Sequence, residues 1–236
     1  MIAVLAAMLA LWAPSPTASW QWQLSGRLDP TVDAAIYDVD LFETSARGVA
    51  GLHARGRRVV CYVSAGTVER GRPDSRRFPR RVIGRRLAGW PGERWLDVRR
   101  LDLLGPIIKR RLDLCARKGF DGVEADNVDG YANRTGFPLR ARHQLRFNRF
   151  LARAAHARGL SIALKNDLDQ AAALEPWFDW ALSEECFRYR ECDRLRPFVA
   201  AGKAAWVVEY GGRDVCPAAR AAGFMAMRKR LALDAW

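Results

Sequence analysis

Short apolar runs recur along this chain, each followed by a longer stretch in which apolar residues return every three or four positions. Residues 34–40 predict a first strand, and 46–55 a helix closed by Gly56. Residues 59–63 predict a second strand and 95–98 a short third, followed by a helix over 103–118 that Gly119 ends. The fourth strand is expected at 122–126. An amphipathic helix over 139–158 then carries Leu145, Phe147, Phe150, Leu151 and Ala154 on its apolar face. The rhythm continues with a strand at 161–164, a helix at 168–174, a strand at 180–183, a helix at 194–201 and a strand at 205–208. A short helix at 218–222 and an eighth strand within 224–231 complete it. Eight strands separated by helices imply an α/β fold, a single (β/α)8 TIM-type barrel. A doubly wound open sheet is the rival, but no GxGxxG or phosphate-binding loop follows the first strand.

The chain of 236 residues, half of them hydrophobic, suits one domain rather than two. Residues 1–19 are expected to be a signal peptide: an apolar run from Ile2 to Trp12, a Pro14-Ser15-Pro16 break, then small residues at 17–19. The barrel domain then spans 20–236, and the protein is expected to be secreted or bound to the cell envelope. Of five cysteines, Cys61 and Cys115 sit in strand and helix patterns as expected buried thiols, while one disulfide is expected among Cys186, Cys192 and Cys216, with Cys192 and Cys216 the first candidates. His53, His143 and His156 lie in arginine-rich helical contexts, which argues against a metal site or a Ser-His-Asp triad. No cofactor is expected.

The net charge of +13 is uneven: residues 45–120 carry +14 and the remainder −1. Eight arginines fall between Arg70 and Arg86 without the aromatic interleaving or the motif of a nucleic-acid reader. A solvated face is one explanation and docking on an anionic cell-envelope surface the other. A nucleic-acid partner is not expected, and a monomer is.

The acids follow a different rule. Asp38 and Asp40 close the first expected strand, Glu69 follows the second and Asp97 the third; Glu124 and Asp126 end the fourth. Asp167 follows the fifth, Glu184 and Glu185 the sixth, and Glu209 the seventh. The C-terminal ends of barrel strands are where active sites are built, so the pattern marks one carboxylate-lined mouth. Tyr37, Tyr62, Trp90, Trp95, Tyr131, Trp180, Tyr189 and Tyr210 lie near the same ends, and aromatic faces stack on sugar rings. Paired carboxylates without a metal or a nucleophilic triad suit glycosidic bond cleavage, in which one acid protonates the departing oxygen and another carboxylate attacks carbon or activates water. A barrel that binds carbohydrate without cleaving it is the alternative.

Trp20-Gln21-Trp22-Gln23, Tyr37-Asp38-Val39-Asp40, Cys61-Tyr62-Val63-Ser64-Ala65-Gly66, Gly92-Glu93-Arg94-Trp95-Leu96-Asp97, the run from Gly119 to Tyr131, Leu164-Lys165-Asn166-Asp167, Glu184-Glu185-Cys186-Phe187 and Val208-Glu209-Tyr210 together resemble the successive motifs of glycoside hydrolase family 114. The resemblance runs in order from Trp20 to the C-terminus. It implies a (β/α)8 barrel and endo-acting hydrolysis of α-1,4-linked galactosamine polymers. It also implies a catalytic pair at Asp126 and Glu184, Asp126 as nucleophile or base and Glu184 as general acid. Glu124 and Asp129 remain alternatives to Asp126. Strand residues alternate faces, so only one of Glu184 and Glu185 should point inward. Burial beside other carboxylates would raise the pKa of the acid. De-N-acetylated galactosamine is cationic, which gives Asp38, Asp40, Glu124, Asp167 and Glu209 an expected role in holding ammonium groups. Asn127, Lys165 and Asn166 are expected to contact sugar hydroxyls, and Tyr62, Asp97, Asp129, Tyr131, Glu185 and Tyr210 to complete the binding surface. Lys165 needs an anionic partner in such a cleft, and Asp126 or Asp167 is the expected one.

Overall fold

Eight parallel strands form one continuous sheet in the computed structural model, which describes residues 11–212 and 214–236. In chain order the strands are β1 (Trp20–Gln23), β2 (Ile36–Asp40), β3 (Arg58–Ser64), β4 (Thr67–Glu69), β5 (Ile83–Leu87) and β6 (Trp90–Leu96), followed by β7 (Gly122–Asp126), β8 (Ser161–Lys165), β9 (Trp180–Glu184), β10 (Ala205–Glu209) and β11 (Met225–Arg228). The barrel order is β1-β2-β3-β7-β8-β9-β10-β11. Between them run α1 (Ala46–His53), α2 (Leu101–Lys118), α3 (Ala141–His156), α4 (Ala171–Leu174), α5 (Cys186–Tyr189), α6 (Arg196–Ala200) and α7 (Cys216–Ala221). The architecture is the expected (β/α)8 barrel. The ladder does not join β11 to β1 among the described residues; the tail after β11 bridges that seam, with the Leu24 and Ser25 N–H groups donating to the Leu233 carbonyl at 2.9 and 3.1 Å.

One of the eight expected strands needs correction, and one barrel strand was not expected. Residues 95–98 are not a barrel strand: Trp95 and Leu96 end β6, which pairs antiparallel with β4 and β5 in a separate three-stranded sheet inserted between β3 and α2. The eighth barrel strand is instead β1, whose Trp-Gln-Trp-Gln alternates across the sheet. Because one strand replaces another ahead of β7, the fourth and sixth barrel strands remain those that end in Asp126 and Glu184.

Alternation along each strand divides the interior in two. Trp20, Trp22, Ile36, Val60, Ala163, Trp180, Leu182, Trp206 and Val208 fill the barrel itself, and Trp20 stacks on Trp206 at 4.4 Å. The intervening residues, among them Val39, Cys61, Val123, Ile162, Leu164 and Val207, face outward and pack under Leu104, Ile108 and Leu112 of α2 and Phe147 and Leu151 of α3. Gly119 ends α2 at φ 88°, a left-handed cap that lets the chain turn directly into β7. At Gly66 a side chain is excluded outright, since a Cβ would lie 1.7 Å from the Asn127 carbonyl oxygen.

The three late cysteines form one disulfide as expected, though not between Cys192 and Cys216, and the two expected buried thiols are also paired. Cys61 of β3 and Cys115 of α2 form a disulfide, and Cys186 bonds Cys192 with Cα atoms 4.8 Å apart. Cys216 is free. Of the expected signal peptide, residues 1–10 lie outside the described residues; Trp12 packs edge-on against Trp180 at 6.1 Å. Among the described residues no helix is long and apolar enough to cross a membrane.

Candidate active site

Inward positions of β1, β7 and β9 converge on one ammonium group at the end of β8. Lys165, the last residue of β8, places Nζ 2.7 Å from Glu124, 3.1 Å from Asp126 and 3.2 Å from Glu184, and 4.7 Å from the centre of the Trp22 ring. Burial alone would depress this ammonium, but Asp126, Glu124 and Glu184 outweigh it and hold it well above its ordinary value. Of its two expected partners, Asp126 is one and Asp167 is not.

Beneath the lysine lies a fully buried pair of acids. Glu124 accepts from Lys165 on one oxygen and from the Trp22 indole N–H at 2.8 Å on the other, which fixes it as an acceptor and therefore as the anion. Asp38 is 0% exposed, and neither of its oxygens accepts a hydrogen bond. Burial first, and then the adjacent Glu124, raise its carboxyl well above the usual carboxylate range. Of the two buried acids, Asp38 is therefore the one pushed furthest toward its neutral form. Asp38 accordingly supports the floor of the site rather than lining the cleft.

Above them Asp126 is oriented by donors on both oxygens: the Asn127 backbone N–H at 2.7 Å, the Tyr62 hydroxyl at 2.9 Å and Lys165. Glu184 accepts from the Tyr210 hydroxyl and from the Asn166 amide at 3.2 Å, while its own N–H donates to Asn166 at 2.9 Å. Both catalytic candidates line a cleft of about 290 Å³ together with Tyr62, Asn127, Asp129, Lys165 and Asn166. Glu124 lies under that floor. Burial raises the Tyr62 and Tyr210 hydroxyls above their ordinary values, with Asp126 the next cause for Tyr62 and Glu184 for Tyr210, so both act as donors.

Other sequence candidates are placed elsewhere. Asp40 reaches the cleft wall, but Arg72 holds it at 2.5 Å and its other oxygen caps the Phe42 and Glu43 N–H groups at 2.7 and 2.9 Å. Asp97 leaves with the inserted sheet and is bound by Arg99 at 2.7 Å. Glu185 and Glu209 point to the outer side of the wall, as alternation requires: Glu185 pairs with Arg188 at 2.5 Å and Glu209 accepts the Phe187 N–H at 2.9 Å. Tyr131 and Asp167 line an adjoining groove. Arg72 also departs from the expected solvated arginine face, because it bridges Asp40 and Glu69 inside the cleft. Arg70, Arg76, Arg77, Arg80, Arg81, Arg85 and Arg86 are exposed.

The inserted sheet contributes a wall that the strand-end pattern did not reveal. Glu93 of β6 accepts from Thr67 at 2.6 Å and lines the cleft, where burial pushes its carboxyl up to about 7. Trp90, 46% exposed, stands beside it. The only hint in the sequence was the run Gly92-Glu93-Arg94-Trp95, whose position over the barrel depends on antiparallel pairing with β4. Among the described residues no group of three or more His, Cys, Asp or Glu is disposed to hold a metal ion.

This arrangement, two oriented carboxylates across one ammonium in an open, aromatic-edged cleft, is competent for acid and base chemistry on a sugar. The model of glycoside-hydrolase family GH114 matches residues 2–236. The crystal structure of Aspergillus fumigatus Ega3 in complex with galactosamine superposes with a TM-score of 0.90 at 38% identity, covering 95% of this chain and 96% of that one. The glycoside hydrolase domain of PelA from Pseudomonas aeruginosa shares the fold, with a TM-score of 0.71 at 16% identity over 92% of this chain and 95% of that one. A search of curated protein sequences gave no match. With a family match over nearly the whole chain, and the Ega3 likeness beside it, the chain belongs to glycoside hydrolase family GH114.

Proposed function

We propose that the protein is a secreted endo-acting hydrolase of α-1,4-linked galactosamine polymers, with Asp126 as nucleophile and Glu184 as general acid. The observation that carries the role assignment is their shared contact with Lys165. Asp126 is the deeper carboxylate, 16% exposed at its side chain and gripped by donors on both oxygens, as suits a group that attacks the anomeric carbon from below. Glu184, 25% exposed, stands where the cleft and the adjoining groove meet, as suits a group that protonates the oxygen between two sugars.

Because one ammonium touches both acids, at 3.1 and 3.2 Å, those two oxygens lie no more than about 6.3 Å apart, a bound that admits the ~5–5.5 Å spacing of double displacement. Asp126 would displace the glycosidic oxygen as Glu184 gives it a proton. Glu184 would then take a proton from the water that releases the sugar. Carboxylates in excess of Lys165 and Arg72 make the mouth anionic, which favours a cationic polymer, and Ega3 was crystallised with galactosamine. The two disulfides fit an oxidising compartment and so support secretion. The exposed arginines would then dock the enzyme on an anionic envelope; reversal of Arg76, Arg77, Arg80 and Arg81 should abolish binding to anionic wall fragments, and unchanged binding removes that role.

The direct test is incubation of the purified chain with deacetylated and acetylated galactosamine polymers and with common glucans. Release of oligosaccharides from the deacetylated galactosamine polymer is expected; release only from a glucan overturns the substrate class, and no release from any of them overturns the activity.

A further inference from the structure

Glu93 stands apart from the two acids assigned to the reaction, yet it ends a chain of hydrogen bonds that begins at Asp126. The Asn127 backbone N–H donates to one Asp126 oxygen at 2.7 Å, and the Asn127 side-chain amide donates to the other at 3.3 Å. The same amide donates to the Ser64 hydroxyl at 3.0 Å. Ser64 and Thr67 hydroxyls lie 2.5 Å apart, and Thr67 donates to Glu93 at 2.6 Å. A hydroxyl has one proton to give, and Thr67 gives it to Glu93, so Ser64 donates to Thr67. Every bond in the chain therefore runs one way, from the amide to the carboxylate.

The backbone beside this chain is clamped. The Ala65 and Gly66 N–H groups donate to the Asp126 carbonyl at 2.9 and 3.1 Å, and Gly66 leaves no room for a side chain against Asn127, which is held in the left-handed region at φ 60°. Ser64 is 1% exposed and Thr67 0%. What stays free is the direction of the two hydroxyls and the end of the Asn127 amide that faces Asp126. If the chain ran the other way, Ser64 would donate to Asn127, and a carbonyl oxygen would face the carboxylate in place of the NH2 group. An ionised carboxylate at the far end forbids that reversal, because it can only accept.

The placement of that carboxylate is unfavourable in itself. Pairing of β4 with β6 sets Glu93 directly opposite Glu69, and like charges directly opposite each other destabilise a sheet. Burial first, with Glu69 and Asp126 behind it, pushes the Glu93 carboxyl up to about 7 in spite of Thr67 and Arg72, and the Tyr62 hydroxyl faces the same acids. We propose that Glu93 is a positioning residue for the hydrolytic reaction: it fixes the direction of the Thr67–Ser64–Asn127 chain and so keeps the Asn127 amide turned to Asp126 as a donor. The proposal rests on Asp126 being the reacting carboxylate and adds the inserted sheet to the machinery that aims it. Below about pH 7 Glu93 takes up a proton, and the constraint on the chain is released.

The first test needs no substrate. The Asn127 side-chain NH2 resonances, followed by NMR from about pH 5 to 9, should titrate with a midpoint near 7 in wild type and lose that step in Glu93→Gln. Flat resonances in wild type, or the same step in Glu93→Gln, overturn the chain. The second test is kinetic, on deacetylated galactosamine polymer. Glu93→Ala should lower kcat by roughly 10- to 100-fold with little change in KM, as expected of a misaimed reacting group. Thr67→Val should do the same, and the double variant should be no worse than either single change. Glu93→Gln, whose amide oxygen still accepts from Thr67, should recover most of the lost kcat. A Glu93→Ala enzyme that raises KM and keeps kcat makes Glu93 a sugar contact and overturns the positioning role, and additive losses in the double variant overturn the chain. If wild type releases no oligosaccharide from any galactosamine polymer, the substrate reading falls, while the NMR titration still decides whether the chain exists.

Discussion

Replacing Lys165 with Met should reveal how much of the barrel's stability depends on the charge network under the active site. Methionine keeps most of the side-chain volume and the contact with the Trp22 ring, so the change is chiefly the loss of the ammonium that sits 2.7 Å from Glu124. Glu124 is 0% exposed and would keep only the Trp22 N–H as a donor. Removing one partner of a buried ion pair costs about 3–5 kcal/mol because the other charge is stranded. For a chain of this length that corresponds to a fall in Tm of roughly 10 °C. The stranded glutamate can escape by taking up a proton, at about 1.4 kcal/mol per unit of pKa shift. A carboxyl whose folded pKa is raised above its unfolded value destabilises the fold progressively as pH rises through that window. The deficit should therefore be larger at pH 8 than at pH 5. Adding Glu124→Gln removes the stranded charge, and the double variant should recover most of the loss. Urea denaturation of the four proteins at both pH values completes the cycle. A loss below about 1 kcal/mol at pH 8, or a double variant as unstable as the sum of the singles, would refute the network.

Three further outcomes follow from the same geometry. The raised carboxyl of Asp38 binds a proton more tightly in the fold than in the unfolded chain, so this group's contribution to stability falls as pH rises above about 4. Asp38→Asn, whose amide can still donate to Glu124, should flatten that dependence and gain on wild type between pH 4.5 and 8; a variant that instead loses more at pH 8 contradicts a neutral Asp38. The Cys61–Cys115 bridge closes a loop of sequence separation 54, worth about 4 kcal/mol in the chain-entropy account, so the double Ala variant should show a large fall in urea midpoint. A midpoint within error of wild type would show that the bridge does not form. The double displacement proposed for Asp126 and Glu184 predicts that the first product seen by NMR keeps the α-anomeric configuration; immediate appearance of the β-anomer would require an inverting mechanism.

Much of the fold was legible because outward strand residues such as Val123, Ile162 and Val207 form apolar runs under the helices, whose own periodicity repeats between them. What local pattern did not encode was the pairing partner. Residues 95–98 do follow a strand, but β6 pairs with β4 and β5 in the inserted sheet, and only the chain's return path reveals this. The four residues of β1 drew notice as a motif rather than as a strand, since so short an alternation of Trp and Gln fits a turn or an edge equally well.

The site divides along the same line. Alternation correctly demanded that only one of Glu184 and Glu185 face the cleft, and it would equally have turned Glu209 outward and Tyr210 inward had it been applied to β10. Burial depth is a tertiary property, so a strand-tip acid that lines the mouth, such as Asp126, could not be separated from one that supports the floor, such as Asp38. Glu93 was passed over because its place in the cleft depends wholly on the insertion. Disulfide partners are a tertiary property too: a bridge among the three late cysteines was legible, but five cysteines allow many pairings, and only spatial proximity selects Cys61 with Cys115 and Cys186 with Cys192.

The central claim, that Asp126 and Glu184 break the glycosidic bond, is tested most directly by the rate of oligosaccharide release from deacetylated polygalactosamine by Asp126→Asn and Glu184→Gln, with Tm measured on the same samples. Both substitutions preserve shape and most hydrogen bonds, so Tm should change by only a few degrees while kcat/KM falls by at least about 1,000-fold in each. Near-wild-type turnover by either folded variant would contradict the assignment.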